Sequence, residues 1–126
     1  MSKNIIQTSN APEPIGPYSQ AVSSGNMLFV SGQIPLDPQT GELVTGNIEE
    51  ETHRVMSNIQ AILQSGGTNF SQVVKCSIFV KDLNDFSRIN QVYGDYFPQQ
   101  PPARETVEVN RLPKDVNVEI SCIAIV

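Results

Sequence analysis

Two charged side chains late in the chain have the types and spacing to share one piece of chemistry. Arg104 opens the alternating run Arg104-Glu-Thr-Val-Glu-Val109, and Glu119 lies in a second apolar run that ends the chain. Alternation argues β-strands, with Val107 and Val109 on one face and Arg104, Thr106 and Glu108 on the other. Glu119 then shares a face with Ser121. If the two strands pair or lie close, a guanidinium and a carboxylate face a common space. A planar arginine fork can hold a carboxylic acid bidentately, and a carboxylate beside it can move a proton. Next to an arginine that carboxylate is expected to be held ionised, with its pKa lowered. The bland alternative for both is a solvated strand side chain, the commonest fate of Arg and Glu. What singles out Arg104 is the stiff approach through Pro98, Pro101 and Pro102, which fixes where the guanidinium points.

Tyr18, Ser31 and Gly32 fall at strand ends around a hairpin. They read either as a rim aromatic, a strand-end hydroxyl and a turn glycine, or as the lining of a pocket. Asn90 sits inside an apolar helical stripe between Phe86 and Tyr93. Its simplest reading is a buried amide bonded to backbone; substrate binding is the sharper one. His53 lies on the polar side of the first helix and carries no evident role. One His with Cys76 and Cys122 makes no zinc pattern. No phosphate loop, nucleophile elbow or paired-cysteine metal motif is present.

The elements that must position these residues follow in order. Ile5 and Ile6 suggest an edge strand, and Asn10–Pro17 is dense in turn formers. Tyr18 to Ser23 and Met27 to Ser31 read as a hairpin about Gly25-Asn26. Asn47 caps a helix with Glu50 three residues on, and Val55, Met56, Ile59, Ile62 and Leu63 form its stripe. Gly66-Gly67 ends it. Val73 to Val80 is the strongest strand, with Val74, Cys76, Ile78 and Val80 on one face. Asp82 caps a second helix with the stripe Leu83, Phe86, Ile89, Tyr93 and Phe97, and Pro98 stops it. A last strand runs from Val116. The order βββ-α-β-α-ββ predicts an α+β domain over residues 1–126: one mixed sheet with both helices on one face. The other face is expected to carry Phe29, Ser31, Phe79, Arg104, Thr106, Glu119, Ser121, Ile123 and Ile125. That set is too apolar for water, so burial against another subunit is expected.

A length of 126 residues suits one domain with a core of its own. The formal charge of −5 argues against nucleic acid or an anionic membrane as partner. No apolar run resembles a signal peptide or is long enough to span a bilayer. The two cysteines are expected to be buried thiols in a cytoplasmic protein.

The segments Ile15-Gly-Pro-Tyr-Ser-Gln20, Ser31-Gly-Gln-Ile-Pro35, Phe79–Phe86, Pro102-Ala-Arg104, Arg111-Leu-Pro-Lys-Asp115 and Val118-Glu-Ile120 closely resemble the RidA (YjgF) family, in order and spacing over nearly the whole chain. The resemblance implies a chorismate-mutase-like fold and a homotrimer with sites between subunits. It also implies an enamine/imine deaminase that hydrolyses 2-aminoacrylate and its kin to keto acids and ammonia. Carried over by position, Arg104 would bind the substrate carboxylate and Glu119 would handle protons and water. Tyr18, Ser31, Gly32 and Thr106 would line the pocket. Glu105 stands where the family pattern has serine; by alternation it points away from Arg104 and would tune the surroundings. The chemistry asks for no metal or cofactor. Two rivals stand beside it. One is a regulatory module that holds a small metabolite without turnover. The other is a ribonuclease, against which the acidic charge and the lack of a basic patch argue.

Overall fold

The computed structural model describes residues 2–126. Six strands form one sheet in the order β1-β2-β3-β6-β4-β5. They are β1 (Lys3–Ile6), β2 (Ala21–Ser24), β3 (Met27–Gln33), β4 (Val73–Val80), β5 (Ala103–Glu108) and β6 (Val118–Ile125). All neighbours pair antiparallel except β4 with β5, which run parallel. A parallel pair needs a crossover, and α2 (Phe86–Asp95) supplies it. α1 (Ile48–Ser65) packs beside α2 on the same face, over β3 and β6. The expected element order and the one-sided helix layer are both observed.

Local chemistry explains the boundaries. The Asn47 side chain accepts the Glu50 backbone N–H at 3.0 Å and caps α1. The stripe Val55, Met56, Ile59, Ile62 and Leu63 is fully buried against the sheet, where it meets Leu28, Ile78, Val118 and Ile120. Gly67 then takes φ +82°, which ends the helix in a left-handed turn. Cys76 and Cys122 are buried free thiols that face each other across β4 and β6.

Four expectations need correction. Asp82 caps a 3-10 turn, Leu83–Asp85, and α2 begins only at Phe86 and stops at Asp95. Consequently Leu83 and Phe86 are exposed while Ile89, Val92 and Tyr93 are buried. A bulge between Val73 and Lys75 inverts the start of β4, so Val73 is buried and Val74 exposed. Tyr18 is not in a strand: it lies in the irregular segment that follows a bend at residues 15–17, and β2 starts at Ala21. Most consequential, Arg104 and Thr106 do not share a face with Glu119. Arg104 is level with Cys76, and Thr106 with Ile78, on the helix-covered face. Glu119 is level with Phe79 on the open face. The open face otherwise carries the expected residues, and among them Phe29 and Ile125 are exposed.

Candidate active site

The candidates separate into two groups. The first lies at the edge strand β5. Arg104 points toward α2, with its guanidinium carbon 4.8 Å from the Tyr93 ring centroid and 5.6 Å from that of Phe86. Such distances are those of a cation over aromatic faces. Asn90 shares that helix face, one turn after Phe86, and is half-buried rather than buried. The Thr106 hydroxyl is buried without a hydrogen-bond partner two residues from Arg104. The Tyr93 hydroxyl is likewise unpartnered at standard geometry, although it lies toward the Cys76 thiol. Burial pushes the pKa of Tyr93, Cys76 and Cys122 upward, so none of the three is an ionised nucleophile.

The second group lies on the open face. Tyr18, Ser31, Gly32, Pro113 and Glu119 border a cavity of about 270 Å³. A bulge between Val30 and Gln33 inserts Ser31 and Gly32 opposite β6. Gly32 is required there by space: a Cβ would stand 2.7 Å from Glu119 Oε2 and 2.8 Å from its Cδ. The carboxylate therefore lies across bare backbone. Burial raises the Glu119 pKa above its ordinary value. The expected lowering does not occur, because Arg104 is on the other face and no cation offsets the desolvation.

Polar contacts hold the loop over this cavity. Ser31 Oγ donates to the Ser19 carbonyl at 2.6 Å, and the Ser31 N–H donates to the Gln20 carbonyl at 2.9 Å. Tyr18 Oη accepts the Ile15 N–H at 3.2 Å, which leaves its own proton free to donate. Gln20 is the residue that sequence reasoning missed. Its buried side-chain amide donates to the carbonyls of Thr8, Ala11 and Pro12, and its oxygen accepts from the Thr8 N–H. A glutamine among apolar strand residues, next to a proline-rich loop, is the signal that could have found it.

Within one chain the groups cannot cooperate. Arg104 and Glu119 are on opposite faces, with β4 between their strands. Two strand spacings and three residues along β5 put their Cα atoms roughly 14 Å apart. Glu105 faces the open side, where it accepts from Ser77 Oγ and pairs with Lys75 at 3.0 Å. It points away from Arg104, as alternation predicted.

A larger depression, about 540 Å³, lies where α1 and α2 begin, and none of the sequence candidates borders it. Its basic groups are already paired. Arg88 pairs with Glu49 at 2.6 Å, Lys81 pairs with Asp115 at 2.6 Å, and the buried Glu51 accepts from Asn117 at 3.0 Å. The size of this depression therefore does not make it the reactive site. Among the described residues, no cluster of three metal-binding side chains occurs. No helix there is long and apolar enough to cross a membrane.

The family described as endoribonuclease L-PSP matches residues 8–126. A RutC family protein of Pyrococcus abyssi is 56% identical over 124 residues, covering 98% of both chains. The 2-iminobutanoate/2-iminopropanoate deaminase of Dermatophagoides farinae is 46% identical over 124 residues, covering 98% of this chain and 97% of its own. The crystal structure of Escherichia coli TdcF with bound serine superposes with a TM-score of 0.92 at 43% identity, covering 98% of each chain. The chain belongs to the RidA/YjgF family, also described as L-PSP, two of whose members, from Arabidopsis thaliana and Dermatophagoides farinae, are named reactive intermediate or imine deaminases.

Proposed function

From this membership and the geometry of the two groups, we propose that the protein is an enamine/imine deaminase. It hydrolyses 2-imino acids such as 2-iminopropanoate to the keto acid and ammonia, in sites completed by a second copy of the chain. The observation that carries the reading is an arginine with an aromatic-backed fork and no carboxylate partner among the described residues. Four other basic residues, Lys75, Lys81, Arg88 and Arg111, all pair with acids. A fork left open in this way suits a substrate carboxylate.

In this mechanism Arg104 grips the carboxylate of the imino acid, beside Thr106 and Asn90. Glu119 of the facing copy takes a proton from water as the oxygen bonds to the imine carbon. The same carboxyl returns that proton to nitrogen to give the carbinolamine. It then passes the hydroxyl proton to the amine nitrogen as the C–O double bond forms and the C–N bond breaks, releasing ammonia and the keto acid. A carboxyl whose pKa burial has raised suits both steps, because it exchanges its proton closer to neutral pH. Tyr18 donates to the oxygen that develops on the carbon. Acid–base help of about 10²–10⁴-fold is typical of such groups, and a reaction this facile needs no more. No step calls on a metal or cofactor.

An exposed apolar face supports the reading. The open sheet face exposes Phe29, Val107 and Ile125, an apolar surface that a partner would cover. We take the assembly to be a homotrimer, the count coming from the family resemblance. The two facing thiols remain free, which suits the reducing cytoplasm. The family description raises a ribonuclease as the alternative. A formal charge of −5 and four basic side chains engaged by acids leave little to hold a phosphate backbone. The test is to generate 2-aminoacrylate in situ with a serine dehydratase and follow pyruvate. Faster pyruvate release with this protein is expected, and Arg104→Ala should remove the acceleration. A bound keto acid without any acceleration would instead favour a regulatory binding module.

A further inference from the structure

Arg104 is an edge-strand arginine, and such a side chain is ordinarily among the most mobile in a protein. Here two rings meet it. Tyr93 is 5% exposed, and its own ring is fixed by Phe97 at a centroid distance of 4.8 Å. It is a floor that cannot turn away. Phe86, 41% exposed, stands one α2 turn before Asn90 and flanks the guanidinium from the solvent side. The negative faces of the rings attract the cation and restrict it without consuming any of its N–H donors. A carboxylate or a hydroxyl in their place would have occupied one or two of those donors.

We propose that Tyr93 and Phe86 are positioning residues that hold the Arg104 fork ready for a substrate carboxylate, Tyr93 as the floor and Phe86 as the outer wall. This rests on the carboxylate-binding role of Arg104 proposed above. The ring, not the phenol, performs the task, because the Tyr93 hydroxyl has no standard hydrogen-bond partner. Preorganisation acts on ground state and transition state alike, so its loss raises KM and leaves kcat in place.

The experiment has two readouts on the intact oligomer. The first is the Nε–Hε resonance of Arg104 by ¹⁵N NMR, assigned through Arg104→Lys, with the largely exposed Arg111 as internal reference. In the wild type the Arg104 signal is expected to be ring-shifted and more ordered than that of Arg111. Tyr93→Phe should keep it so and Tyr93→Leu should not. The second readout is imine hydrolysis. Tyr93→Leu should raise KM about tenfold (~1.4 kcal/mol) with kcat within about twofold, and Tyr93→Phe should match the wild type. Phe86→Leu, at an exposed site that does not threaten folding, should raise KM by about threefold. It keeps the claim testable if Tyr93→Leu fails to fold. An Arg104 resonance as mobile as that of Arg111, or kinetics in which kcat falls and KM stays, would overturn the proposal. Absence of any imine hydrolysis by the wild type would sink the deaminase reading alone, since the resonance comparison would still decide what the rings do.

Discussion

Arg104 stands at the edge of the sheet on its helix-covered face, while Glu119 stands two strands inward on the open face. The arginine is controlled by what has been added around it: two aromatic rings, one of them buried. The carboxylate is controlled by what has been taken away: a Cβ at Gly32 and the water around its oxygens. The first arrangement keeps a charge and its donors available for an anion. The second weakens a charge so that its proton can come and go. The sheet separates them, so under the proposed function each copy would carry one binding half and one proton-transfer half.

The variants that sharpen this contrast differ in size of effect. Arg104→Ala should be the most damaging, since truncating one partner of a desolvated charge pair costs on the order of 10²–10³-fold in kcat/KM. Arg104→Lys should remain poor because an ammonium cannot reproduce the fork. Circular dichroism should show both still folded; full turnover by the lysine variant would remove the bidentate role. Glu119→Gln should follow, with kcat lower by about 10²-fold and pyruvate binding by calorimetry nearly unchanged. Equal losses in both would contradict the division of labour.

The remaining predictions concern how Glu119 is held. Gly32→Ala should lower kcat by about tenfold, because the new methyl displaces the carboxylate that now lies across the strand. A crystal structure of the variant with Glu119 unmoved and activity lost would reject that cause. The raised pKa of Glu119 has two consequences. The acid limb of kcat/KM should lie above the ordinary 4.5 of a glutamate and should vanish in Glu119→Gln. The folded state also holds that proton more tightly than the unfolded state, so this residue destabilises the protein as pH rises through the window above 4.5. Glu119→Gln should thus melt higher than the wild type at pH 7, and the two should converge below pH 4.5. Glu105→Gln should have the smallest effect, because its partners Ser77 and Lys75 are solvent-accessible and lie on the face away from Arg104.

Much of this was legible in the sequence, for identifiable reasons. The stripe from Val55 to Leu63 and the alternation from Cys76 to Val80 are strong periodic signals, and both elements formed as read. The capping side chain of Asn47 and the stop at Gly66-Gly67 are local chemistry, and local chemistry survives folding. The bulges in β3 and β4 were not legible, because nothing in Val73-Val74 or Ser31-Gly32 announces an extra residue. Alternation alone gave each strand two faces. It could not say which face of β5 aligns with which face of β6, since β4 intervenes and sets both registers. That is why Arg104 and Glu119 could be expected to meet within one chain. The wrong direction for the Glu119 pKa followed from the same error.

The central claim is that a working site takes its arginine from one copy and its glutamate from another. Coexpressing Arg104→Ala with Glu119→Gln and purifying the mixed oligomer tests it most directly. Each variant alone has every site broken. If sites form between copies, random mixing leaves roughly a quarter of them with both residues intact, so about a quarter of wild-type turnover should return. Mixed oligomers that show no more activity than the parents would contradict the account.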